Sequence, residues 1–115
     1  MKESILFTKS KAFALRIVRL YKHLRERKES VIAKQMLRSG TSIGANIAES
    51  RYAQSKADFA SKLQIALKEA AETQYWIELL HDAELVEPSP AFDSICTDCT
   101  DLIKLLTASV KTAKA

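Results

Sequence analysis

Residues 35–50 read QMLRSGTSIGANIAES, a stretch that is either one helix or a helix, a loop and a second helix. The rest of the architecture depends on which. It holds both glycines of the chain, Gly40 and Gly44, four residues apart, with Ala48 four further on. Taken as helix, it carries an apolar stripe of Ile32, Met36, Ile43 and Ile47 beside a stripe of small residues, Gly40, Gly44 and Ala48. Two interior glycines cost a helix about 1 kcal/mol each relative to alanine, so roughly 2 kcal/mol must return through the close helix packing that small side chains permit. The expectation is a helix that runs continuous or slightly kinked through Gly40. The competing reading breaks it at Ser39-Gly40-Thr41-Ser42.

Upstream, Phe13, Ile17, Leu20 and Leu24, with Tyr21 beside them, repeat at the spacing of an amphipathic helix. Lys11, Lys22 and Arg25 fall on its opposite face, with Arg19 on the flank. Leu15 and Val18 share that outer side, where an intrachain core does not require them. After the charged turn 26–30, Ser30 is placed to cap the second helix. Downstream, Ser55 followed by Asp58 resembles a capping box. Phe59, Leu63, Ala66, Ala70, Thr73, Ile77 and Leu80 then form the core stripe of a third helix. A second group on that helix, Ile65, Trp76 and Leu79, suggests burial on two sides and hence an oligomer contact. Its alternative is that Trp76 fills the end of the intrachain core. Ser89 and Pro90 read as N-cap and first residue of a fourth helix, whose stripe runs from Phe92 to Val110. The tail from Lys111 is expected to fray. Helices over about 9–28, 30–52, 55–85 and 90–111 with short turns specify an all-α, antiparallel up-down four-helix bundle in one domain, 1–115.

Composition supports this. The 115 residues are 47% apolar and 28% charged, which is globular, and two glycines with two prolines are too few for an all-β chain. No apolar run approaches the roughly 18 residues of a membrane span, and the N-terminus lacks a long apolar signal core, so a cytoplasmic protein is expected. The net charge of +4 is uneven: residues 1–30 hold nine Lys or Arg against three Glu, leaving −2 for the remainder. That asymmetry favours polyanionic partners.

Chemistry is sparse. Cys96-Thr97-Asp98-Cys99 is formally C-x-x-C, but a zinc site wants four ligands, and His23 and His81 are remote in sequence. Both thiols fall on or beside the core stripe and are read as packing. A di-metal bundle needs two Glu-x-x-His motifs, and no such pair is present. No cofactor and no catalytic set is expected. Gln35, Ser42, Asn46 and Glu49 flank the apolar stripe of helix 2 and are expected to join a structural hydrogen-bond network with Glu72 of helix 3, or with a neighbouring subunit.

The run Gln35, Arg38, Ser42-Ile43, Asn46-Ile47-Ala48-Glu49, Arg51, Ser55, Phe59, Ala66 and Glu72 resembles a four-helix-bundle family. Its founding members are encoded in intervening sequences of bacterial large-subunit ribosomal RNA genes, and it includes the accessory variability determinant proteins of diversity-generating retroelements. The most specific piece is S-I-x-A-N-I-A-E, matched at every fixed position by residues 42–49, while Ser50 stands where the family commonly has Gly. The resemblance covers about residues 10–108. It implies an up-down bundle with no established enzymatic activity, a ring-shaped pentamer, and basic surfaces that meet nucleic acid or a reverse transcriptase. The expected function is a non-catalytic homo-oligomer that binds RNA or DNA through Lys11, Arg19, Lys22 and Arg25, with little sequence specificity. The alternative is an adaptor presenting Leu15 and Val18 to a partner enzyme.

Overall fold

The computed structural model describes the backbone of residues 2–115 and the side chains of residues 5–115. Four helices follow one another: α1 Lys2–Glu26, α2 Val31–Ser50, α3 Lys56–Asp82 and α4 Pro90–Lys114. Each packs against two others, α1 on α2 and α4, and α3 on α2 and α4, the cyclic order of an antiparallel bundle. The body measures 44 × 21 × 19 Å. Its long dimension is close to the roughly 38 Å of a 25-residue helix.

Helix α2 is unbroken through both glycines, which settles the reading of residues 35–50. Its buried line is Ala33, Met36, Gly40, Ile43, Ile47 and Ser50, with Ser39 beside it, while Ile32 lies on the flank. Gly40 faces α1 at close range: a Cβ there would sit 2.9 Å from Cγ2 of Ile17, a fully buried side chain. At Gly44 an added Cβ would meet the Ser10 carbonyl at 3.5 Å, an ordinary contact. Ala48 is half-buried on the same helix. On the opposite flank the buried hydroxyls of Ser39 and Thr73 hydrogen-bond at 2.8 Å, joining α2 to α3.

Several expected boundaries move. Helix α1 begins at Lys2, not near residue 9, and Leu6 and the fully buried Ser10 extend its core stripe toward the N-terminus. Helix α4 stays helical to Lys114 rather than loosening from Lys111. Lys114 Nζ donates to Gln64 Oε1 at 3.2 Å, and Lys56 Nζ donates to the Ala115 carbonyl at 2.7 Å. Ser30 occupies the N-cap of α2, but its side chain makes no cap bond. The other two caps form as read. Ser55 accepts from Asp58 N–H at 3.0 Å, Gln54 N–H donates back to Asp58, and Ser89 accepts from Phe92 N–H at 3.0 Å.

Two turns use residues that the scarcity of glycine concealed. Lys28 (φ 67°) and Glu84 (φ 58°) adopt the left-handed conformation directly after α1 and α3. Glu29 N–H reaches the Leu24 carbonyl and Leu85 N–H the Leu80 carbonyl, each at 2.9 Å. These six-to-one bonds close Schellman-type helix ends in which a charged residue holds the position glycine usually takes. Helix α2 ends differently: Ser50 is buried, its hydroxyl donates to the Ile47 carbonyl, and Arg51 continues in right-handed geometry.

Candidate nucleic-acid interface

A helix with one buried stripe turns the remaining residues outward, and on α1 these are cations and two aliphatics. Lys11, Leu15, Val18, Lys22 and Arg25 follow one another at spacings of four and three, so they form a single strip about 21 Å long. All five are exposed, Leu15 by 50% and Val18 by 37%. Arg19 stands on the flank, also exposed. Arg25 lies 5.9 Å from the centre of the Tyr21 ring, which steadies it over the helix surface.

The cations of α1 divide into two groups. Arg16 is committed to α4: it donates to Asp98 at 2.7 Å, to Ser94 at 2.9 Å and to the Ala91 carbonyl at 3.2 Å. Arg27 pairs with Glu87 at 3.6 Å. Among the described residues none of Lys11, Arg19, Lys22 and Arg25 has a carboxylate within 4 Å. Their charge is therefore available to an external anion. The opposite pole lies elsewhere in the chain. Residues 69–103 contain nine Asp or Glu and no Lys or Arg, covering the second half of α3 and the first half of α4. A polyanion is drawn to α1 rather than to the exposed carboxylates there.

A cleft of about 460 Å³ opens where α1 meets the connection between α3 and α4, with Arg16, Arg19 and His23 on one side and Val86, Pro88 and Phe92 on the other. A smaller apolar cavity of about 90 Å³ lies at the other end of the bundle among Leu6, Ile47, Phe59 and Leu63.

The expected polar network does not assemble as one unit. Gln35 is exposed. Ser42 donates to the Arg38 carbonyl at 2.8 Å, and Asn46 donates to the Ser42 carbonyl at 2.9 Å. Glu49 instead pairs with Lys62 at 3.0 Å. Ser42 and Asn46 satisfy themselves on their own helix because the carbonyl one turn back is always within reach. Glu72 accepts from Trp76 Nε1 at 2.8 Å and from Arg38, which also reaches Glu69 at 3.3 Å. The indole and the guanidinium hold the Glu72 carboxyl below its ordinary range, and Glu72 in turn raises Arg38. Trp76 is thus half-buried, packed against the intrachain core and tethered to Glu72. Of its stripe, Ile65 is 40% exposed and Leu79 half-buried. Reading the sequence missed Arg38–Glu69, Ser39–Thr73 and Arg16–Asp98. Their spacings of 31 to 82 residues carry no local signal.

The thiols and the acid–histidine pair of the sequence can be placed individually. Cys99 is buried, donates to the Ala70 carbonyl at 3.5 Å and has its thiol pushed up to about 12 by burial. A thiol so protonated is neither nucleophile nor ligand. One Glu-x-x-His, Glu78 with His81, runs along α3 with both side chains exposed. Among the described residues no group of three His, Cys, Asp or Glu could hold a metal ion. Among the described residues no helix is long and apolar enough to cross a membrane.

Comparison with known proteins bears on the fold and the lineage. A family model described as 23S rRNA-intervening sequence protein matches residues 2–108. A crystal structure from Bacteroides thetaiotaomicron, described as a protein of unknown function from the S23 ribosomal protein family, is 54% identical. It superposes with a TM-score of 0.91 over 96% of this chain and 99% of that one. No match was found among curated proteins.

Proposed function

The chain belongs to the 23S rRNA-intervening sequence protein family, and from that premise we propose that it is a non-catalytic bundle that assembles with itself and binds RNA or DNA through the outer face of α1. The observation that carries this reading is the exposed, carboxylate-free set Lys11, Arg19, Lys22 and Arg25, against a pole of nine acids on α3 and α4. Such a face attracts phosphate backbones irrespective of sequence and loses affinity as salt rises. Five copies in a ring, the assembly implied by the resemblance, multiply one weak contact into a multivalent basic surface. The contact between copies is assigned to Ile65, Trp76 and Leu79 of α3, which leaves α1 open. A cytoplasmic location accords with such a ligand.

A second reading is favoured by Leu15 and Val18, which lie exposed in the middle of the basic strip. There α1 docks on a partner enzyme as an adaptor, and binding depends on those two aliphatics rather than on salt. The solution mass, measured by light scattering with and without RNA at two salt concentrations, tests the first reading. Expected is a multiple of the 12.9 kDa protomer that gains RNA at low salt and releases it at high salt. A protomer mass throughout, with no RNA bound, contradicts it.

A further inference from the structure

The basic strip of α1 runs past the cleft against the α3–α4 connection, and Arg19 belongs to both. On the helix, Arg19 and His23 lie between the outward strip and the cleft wall formed by Arg16 and Leu20. The floor is apolar: Leu20 is half-buried, and Val86 and Phe92 beneath it are buried core side chains. The far wall belongs to the acidic segment 69–103, and Glu87 itself lines the cleft. Asp98 is taken by Arg16, and Glu87, largely exposed, is held by Arg27, so Arg19 remains without a carboxylate partner among the described residues. A volume of about 460 Å³ is in the range of sites that hold a small organic group.

A cationic rim over an apolar floor, continuous with a phosphate-attracting strip, suits a nucleotide whose base is unstacked. We propose that the cleft takes a single nucleotide of a single-stranded nucleic acid, its phosphate against Arg19 and its base on the Leu20–Val86–Phe92 floor. The proposal rests on the nucleic-acid reading above and sharpens it from any polyanion to single strands. A duplex keeps its bases paired and stacked, so it reaches only Lys11, Lys22 and Arg25. With Phe92 itself buried, the base gains an aliphatic contact rather than an aromatic stack, and its loss weakens binding by about three-fold.

Fluorescence anisotropy of the full chain with three probes of equal length tests this: a single-stranded oligoadenylate, the corresponding duplex, and an abasic sugar-phosphate strand. Expected is binding to the single strand about three-fold tighter than to either other probe. Ala91→Trp places a large side chain at the mouth of the cleft from an exposed position. It is expected to erase that preference while retaining the salt-sensitive binding of all three probes, and circular dichroism confirms its helical content. Equal affinity of the wild type for all three probes overturns the proposal and leaves the basic-face reading standing. An undiminished preference in Ala91→Trp overturns the placement in this cleft. No binding to any probe at low salt overturns both.

Discussion

Alanine at Gly44 is expected to raise stability and alanine at Gly40 is not, although the two glycines sit one turn apart on the same helix. Helix propensity alone favours both substitutions by about 1 kcal/mol. At Gly44 nothing opposes that gain, because the new Cβ finds the Ser10 carbonyl and hydroxyl oxygens at 3.5 Å. At Gly40 the Cβ arrives 2.9 Å from Cγ2 and 3.1 Å from Cγ1 of Ile17, well inside the 3.5–4.0 Å at which carbon atoms attract. Ile17 is fully buried and branched at Cβ, so it has one comfortable rotamer, and α1 must back away from α2. Overpacking of this kind costs about 1–3 kcal/mol. Gly40→Ala is therefore neutral to about 2 kcal/mol less stable than wild type, and Gly44→Ala up to about 1 kcal/mol more stable. For a chain of this size 1 kcal/mol is about 4 °C in Tm, so the two variants differ by roughly 4–12 °C. Urea and thermal unfolding followed by circular dichroism, at one fixed protomer concentration, resolve this. Equal stabilisation by both alanines refutes the close approach of α1 to α2 at Gly40.

Three further outcomes follow from particular contacts. Thr73→Val strips the Ser39 hydroxyl of its interhelical partner and costs about 1–2 kcal/mol in urea unfolding. Adding Ser39→Ala recovers part of that loss, and strict additivity of the two contradicts the buried pair. Glu84→Gly relieves a left-handed residue and removes a negative charge from the α3 C-terminus, raising stability by about 0.5–1 kcal/mol. A fall in Tm speaks against the Schellman end. Glu72, with its folded pKa lowered by Trp76 and Arg38, contributes stability above its unfolded pKa, and that contribution disappears as pH falls through the folded value. The stability gap between wild type and Glu72→Gln, small because the group is partly exposed, closes on acidification below about 4.5. A gap unchanged down to strongly acidic pH rules the linkage out.

What the sequence revealed and what it hid have physical reasons. The start of α4 was legible because Ser89-Pro90 is both a cap and a residue indifferent to a missing N–H. The start of α1 was hidden by Ser10, which lies on the core stripe between Leu6 and Phe13 and is fully buried opposite Gly44. A small polar residue in an apolar stripe ends the pattern for any periodicity argument, though in the bundle it fits where helices come close. The same holds for Ser39, whose partner Thr73 already stood on the expected α3 stripe; the two proved to be the buried polar pair in place of the Ser42–Asn46 set. The basic face was visible in the charge of residues 1–30, but the acidic pole was not. Counting residues 31–115 together averages the nine acids of 69–103 with the lysines and arginines on either side. The cleft beside Arg19 joins residues some 70 positions apart and leaves no local trace.

The salt dependence of RNA affinity, measured for the wild type and for a Lys22→Glu/Arg25→Glu variant, bears most directly on the claim that α1 is the binding face. Four cations on a single strand give a log–log slope of about −3, and removing two of them brings it to about −1.4 or shallower, with much weaker binding at low salt. That result is predicted. Unchanged affinity and an unchanged slope in the variant contradict the account and move the functional surface away from α1.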